Sequence, residues 1–124
     1  MSARTRHERA LFATLVFAAL TACATSFPTD QGANRPAWLN TLIAQIASEP
    51  VTNPPSSIVR YRYKGATVYY RPARCCDMFA DLYDESGRLI CHPDGGIAGS
   101  GDGKCADFMA GRTDEQVVWK DPRG

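Results

Sequence analysis

The sequence predicts a small α+β domain: one amphipathic helix packed on an antiparallel sheet of two hairpins and stapled by two disulfides. Three observations lead there. An apolar stripe of helical period lies between Pro36 and Glu49, strict alternation surrounds a two-residue turn between Ile58 and Pro72, and four cysteines stand between residues 75 and 105.

In the first segment Trp38, Leu39, Leu42, Ile43 and Ile46 recur at helical spacing, while Asn40, Thr41, Gln45 and Ser48 fall elsewhere on the cylinder. Pro36 suits a first turn and Pro50 ends the run. Residues 51–57, with Pro54 and Pro55 adjacent, read as an extended connector. In the second segment a turn at Lys64-Gly65 sets Tyr63 opposite Ala66, Tyr61 opposite Val68 and Val59 opposite Tyr70, all on one face. The other face then carries Arg62 with Thr67, Arg60 with Tyr69 and Ile58 with Arg71. Such a turn asks Lys64 for a positive φ, which Asn or Asp would adopt more comfortably.

A second hairpin is expected around Asp84-Glu85-Ser86-Gly87, with Gly87 left-handed, Leu82 facing Ile90 and Asp84 beside Arg88. Residues 92–104 form a long glycine-rich loop, and Gln116-Val117-Val118-Trp119-Lys120 is a final short strand or an apolar flap.

Ahead of the domain, Arg4, Arg6 and Arg9 precede an apolar run over residues 10–20, the pattern of a secretory signal. The run is shorter than the roughly 20 apolar residues a spanning helix needs. Leu20-Thr21-Ala22-Cys23 resembles the lipobox of bacterial lipoproteins. That resemblance implies a diacylglyceryl group on Cys23 and cleavage before it, with residues 1–22 the leader, 23–35 a lipidated flexible tether and 36–124 the packed domain. By the same resemblance, Ala24 in place of Asp favours the outer membrane, so the expected location is the cell envelope, on the periplasmic face of that membrane. Acyl chains contribute about 0.8 kcal/mol per buried CH₂, and several together hold a domain to a bilayer.

Loss of the leader removes Arg4, Arg6, Arg9 and Glu8 from 14 basic and 13 acidic residues, leaving eleven against twelve. This near balance gives no nucleic-acid footprint. The charges are blocked, however: Arg60, Arg62, Lys64, Arg71 and Arg74, then Asp77, Asp81, Asp84 and Glu85, expected as neighbouring solvated faces. With Cys23 assigned to lipid, Cys75, Cys76, Cys91 and Cys105 read as two disulfides in an oxidising compartment. Adjacent residues of extended chain point opposite ways and a bridge between them needs a strained ring. Cys75 and Cys76 are therefore expected to pair with Cys91 and Cys105, in an order left open, each loop contributing about 3 kcal/mol.

For chemistry, the glycine-rich loop offers two readings. Asp94 and Asp102 among exposed backbone are candidate ligands for calcium or shapers of an anion site, or the glycines simply supply positive φ for consecutive turns. There is no EF-hand pattern. Cys91-His92 is better read as a disulfide member beside a histidine than as a nucleophile and base, and Cys-x-x-Cys and Gly-x-Ser-x-Gly are absent. Zinc would need cysteines the compartment oxidises, so no metal or cofactor is expected beyond the calcium candidates. Arg60, Arg62, Tyr69 and Arg71 share the outward face of the first hairpin, a candidate partner patch or arginines merely covering a tyrosine.

The string Cys75-Cys76-Asp77, Leu82-Tyr83-Asp84, Gly87, Ile90-Cys91, Pro93-Asp94-Gly95-Gly96, Gly101-Asp102-Gly103-Lys104-Cys105 and Asp107-Phe108 resembles a family of small bacterial lipoproteins labelled only as a domain of unknown function. The resemblance runs from about Trp38 to Trp119. It implies a lipid-anchored envelope module and supplies no activity. The functional expectation is a non-enzymatic binding or structural role with an envelope protein or glycan partner. The alternatives are an inhibitor of an envelope-directed lysozyme or protease, and a small periplasmic hydrolase or thiol enzyme.

Overall fold

The computed structural model describes residues 34–124; the leader, Cys23 and the tether through residue 33 lie outside them. The elements run α1 (Ala37–Ser48), β1 (Ser57–Tyr63), β2 (Ala66–Arg71), β3 (Asp81–Asp84), β4 (Leu89–Cys91), α2 (Phe108–Gly111) and β5 (Thr113–Lys120). Helix and antiparallel sheet are combined, and the sheet exceeds two hairpins: five strands lie in the order β4-β3-β2-β1-β5. The segment expected as strand or flap is thus a full edge strand, antiparallel to β1, with register shifts along the pair.

The first hairpin has the register that alternation requires, Val59 with Tyr70, Tyr61 with Val68 and Tyr63 with Ala66. Lys64 accepts φ 50° and Gly65 φ 78° at the turn. In the second hairpin the expected Leu82–Ile90 pairing is replaced by Leu82 with Cys91 and Tyr83 with Leu89. The cause is one irregularity between Leu82 and Tyr83, which lets Asp84 close the turn from within. Its carboxylate accepts the Ser86 hydroxyl at 2.6 Å and the amides of Ser86 and Arg88 at 2.9 and 3.0 Å, holding its pKa down at about 2.

Both faces of the sheet are covered. On one, Val59, Tyr61, Tyr63, Val68, Tyr70 and Leu82 gather around the fully buried Phe108 of α2. The other face, assigned outward in the sequence, instead carries Ile58 and Tyr69 beneath α1, packed on Leu39 and Ile46. The stripe of α1 is therefore satisfied by Ile58 and Tyr69 of the sheet's polar-looking face together with the partly buried Tyr83, Val118 and Trp119, each buried aliphatic side chain contributing roughly 1.5–3 kcal/mol. Trp38 fixes the helix laterally: its ring meets Tyr69 edge-on at 5.3 Å and its Nε1 donates to the Glu85 carbonyl at 2.9 Å. Gly87 permits this approach, since a Cβ there would lie 2.5 Å from Trp38 Cδ2.

The cysteines pair differently from the expectation. Cys75 is bridged to Cys76, and Cys91 to Cys105. The argument from extended chain fails because Cys76 sits at φ 51°, which turns neighbouring side chains toward a common side. Cys91 ends β4, and the glycine loop folds back over the Phe108 face to bring Cys105 to it, both sulfurs being buried. Among the described residues no helix is long and apolar enough to cross a membrane.

Candidate functional site

Pro72 ends β2, having no amide to continue the ladder, and leaves Arg71 as its last residue opposite Asp81 of β3. Beyond this pair opens a cavity of about 220 Å³ lined by Arg71, Pro72, Arg74, Met78, Phe79 and Asp81. Its far wall is the segment between the Cys75–Cys76 bridge and β3. A turn closes that segment through the Met78 amide on the Cys75 carbonyl at 2.9 Å. The glycine loop buttresses it from outside: Gly96 N–H donates to the Met78 carbonyl at 3.0 Å and Ala80 N–H to the Asp94 carbonyl at 3.1 Å. Gly96, at φ 73°, lets the Phe79 ring lie against the loop, where a Cβ would stand 2.6 Å from Phe79 Cε1.

The charges around the cavity are unevenly matched. Asp81 is committed: Oδ2 accepts the Tyr83 hydroxyl at 3.1 Å and Oδ1 lies 3.1 Å from His92 Nδ1. That nitrogen is also 2.9 Å from the Ala80 carbonyl, so it carries the proton, and the ring stacks on Phe79 with centroids 5.1 Å apart. Burial, and then the Asp81 charge, push the Tyr83 hydroxyl above the ordinary tyrosine pKa and keep it a donor. Arg74 is paired with Glu49 at the end of α1. Arg71 is different. Its Nε and Nη2 are buried and have no hydrogen-bond partner among the described residues. Leaving buried donors of a charged group unmade costs about 1–3 kcal/mol or more, while the guanidinium as a whole stands opposite Asp81 in register and beside the Tyr83 hydroxyl, whose pKa it lowers against the larger effect of burial.

The structure divides the arginine and tyrosine patch read from the sequence. Arg71 alone enters this cavity. Tyr69 is buried under Trp38 and cannot present its face to a partner. Arg60 is engaged by Gln116 of β5, and Arg62 donates to the Gly65 carbonyl at 2.8 Å. Those two arginines line a separate, larger cavity of about 360 Å³ with Tyr61, Thr67 and Asp114. Of the loop carboxylates, Asp94 accepts the Tyr70 hydroxyl at 2.6 Å, and Asp102 accepts the amides of Lys104 at 3.0 Å and His92 at 3.1 Å. The Lys104 amide, ahead of the His92 amide, lowers the Asp102 pKa. Each carboxylate thus has an internal task, and among the described residues no group of three His, Cys, Asp or Glu side chains is arranged to hold a metal.

Sequence reasoning missed Asp81, Met78 and Phe79 as cavity residues. Arg71 and Asp81 stand in the opposed charge blocks, which was the available signal. The exposed Met78 and Phe79 fall in a turn with no periodicity to place them.

Residues 44–121 match the model of a family described as Domain of unknown function (DUF6970). The chain belongs to that family. The match includes α1 from Ala44 onward, all five strands and both disulfides, so the cavity and its walls lie within the family domain. No curated protein and no solved structure matches the chain.

Proposed function

We propose that the protein is a lipid-anchored, non-enzymatic binding module of the bacterial cell envelope, with the Arg71 cavity as its binding site. The leader pattern over residues 1–22 and the cysteine that follows it support the anchor. One observation carries the binding role: a cavity of about 220 Å³ sets the charged side chains of Arg71, Arg74 and Asp81 beside an apolar wall, the exposed Met78 and Phe79.

Two measurements test the reading. Intact mass of the chain recovered from membranes gives the processed N-terminus, and an uncleaved leader or an unmodified Cys23 removes the anchor. Retention of solubilised envelope material by the immobilised protein is expected to fall when Arg71 becomes Met; retention indifferent to that change removes the site.

A second reading rests on Ile97. This side chain is 95 % exposed on a glycine-rich loop closed by the Cys91–Cys105 bridge, a shape suited to entering the cleft of a lysozyme or protease. An inhibitor would titrate its enzyme at near-stoichiometric amounts, and Ile97→Asp would abolish the effect.

A further inference from the structure

We infer that the Cys75–Cys76 bridge is a site of thiol–disulfide exchange with a dithiol protein, opened and re-closed while the domain stays folded. The inference stands on the bridge itself and goes beyond the reading of the cavity beside it. The two bridges of this small domain are built in opposite ways. Cys91 and Cys105 are buried and separated by 14 in sequence, so their bond encloses chain and lies out of reach of an attacking sulfur. Cys75 and Cys76 are exposed and adjacent, so their bond encloses no chain and can be met from solvent.

The segment around the vicinal bond is held by other means. The Met78 amide donates to the Cys75 carbonyl, and beyond it the Gly96 amide donates to the Met78 carbonyl and the Ala80 amide to the Asp94 carbonyl. Opening the bond leaves these hydrogen bonds in place. With Cys76 at φ 51°, the two side chains also stay on a common side of the chain, one residue apart, and can be joined again without refolding. Access and reversibility together are what exchange requires, and the Cys91–Cys105 bridge has neither. The surroundings suit a partner of protein size. Residues 75 to 79 are all exposed, and Met78 and Phe79 place apolar surface next to the sulfurs on which a protein can rest.

The exchange balances in two steps. One thiolate of the partner attacks a sulfur of the pair; a mixed disulfide forms, the Cys75–Cys76 bond breaks, and its electron pair leaves on the other cysteine. The partner's second thiolate then attacks the partner's own sulfur in the mixed disulfide. The partner closes to a disulfide, and Cys75 and Cys76 end as thiols, having taken up two electrons and two protons.

The full chain, purified in mild detergent, is exposed without denaturant to dithiothreitol or to reduced thioredoxin at equal dithiol concentration. New thiols are trapped with N-ethylmaleimide and placed by peptide mass. Only the increase on reduction is counted, so Cys23 drops out with or without lipid, and failure of the anchor or of the cavity reading leaves this result intact. Cys75 and Cys76 are expected to be labelled at least tenfold faster than Cys91 and Cys105, and thioredoxin should open the pair at least tenfold faster than dithiothreitol. Oxidised glutathione should re-close it. In ¹⁵N spectra the shifts on opening should be confined to residues 74–79, with Leu39, Tyr61 and Phe108 unmoved. Met78→Ser should slow thioredoxin at least threefold and leave dithiothreitol unaffected. Equal labelling of the two bridges, opening that occurs only in urea, or shifts that spread to Phe108 would each overturn the inference. Thioredoxin that is no faster than dithiothreitol, or indifferent to Met78, would overturn the protein partner.

Discussion

On one face of the sheet, Phe108 lies edge-on to Tyr61 and Tyr63 at 5.7 and 5.3 Å, and each surrounding tyrosine hydroxyl finds a carboxylate. Tyr61 donates to Glu115 at 2.8 Å, Tyr63 to Asp107 at 2.6 Å and Tyr70 to Asp94 at 2.6 Å, while the Cys91–Cys105 bridge ties the covering loop down. On the opposite face α1 covers Ile58 and Tyr69 with apolar side chains, and past its end Arg71 has donors with no acceptor. On the first face all three tyrosine hydroxyls around the central ring are held by carboxylates; on the second Tyr83 has Asp81 but the buried Tyr69 has no such partner, and the cover stops short of the Arg71 end. The difference separates the two faces: the completed one serves as scaffold, and the other carries the proposed site.

The largest way to sharpen that contrast is Phe108→Ala. Removing a fully buried ring at the centre of three tyrosines should cost about 3–5 kcal/mol, read from urea unfolding of the full chain. A loss below that of Leu39→Ala on the buried side of α1 would mean that the helix face, not the loop face, is the scaffold. Replacing Cys91 and Cys105 together by Ser comes next. The bridge spans a sequence separation of 14, and opening it should lower stability by about 3 kcal/mol in the chain-entropy model.

Legibility in the sequence follows the same division. The helix stripe and the first hairpin could be read because period and turn chemistry are local: Leu39 and Ile46 are spaced for one face, and Lys64-Gly65 fixes the register of Tyr61 with Val68. The Tyr69 face misled because alternation marks arginine positions as outward without revealing that a helix spans the gap between them. The cysteine pairing failed for a backbone reason, the positive φ of Cys76, which composition does not encode. Arg71 was named in the patch, but its importance lies in an acceptor that the fold omits, and an omission of that kind exists only in three dimensions.

A smaller effect concerns alkaline pH. Burial, then the hydrogen bond to Asp94, raises the Tyr70 pKa far above the ordinary value of 10, and burial also raises Tyr61, Tyr69 and Tyr83. Because the folded values are the higher ones, the stability these groups contribute is complete below about pH 10 and is lost as pH rises through the folded values, the unfolded chain ionising first. Tyr70→Phe should cost about 1–2 kcal/mol at neutral pH through the lost charge-assisted hydrogen bond, yet flatten the decline above pH 10. Tyr69→Phe should flatten it less, since that hydroxyl has no hydrogen-bonded carboxylate: burial raises it, Arg60 opposes, and the Glu85 charge adds a smaller push upward. Equal flattening from the two would erase the chemical distinction between the faces.

Cys75→Ser with Cys76→Ser should have the smallest effect. This bridge joins exposed neighbours and encloses no intervening chain, so it removes almost no loop-closure entropy from the unfolded state. The cavity wall beyond it keeps its own bonds, the Met78 amide on Cys75 and the Gly96 amide on Met78. Chemical unfolding is therefore expected to change by no more than about 0.5 kcal/mol, the range of surface substitutions. The two disulfides then act on different scales, one holding the scaffold and the other lying beside the site without supporting the fold. If the vicinal pair proved to cost as much as Cys91–Cys105, the cavity wall would belong to the cooperative core, and its open arginine would be a defect that the scaffold tolerates.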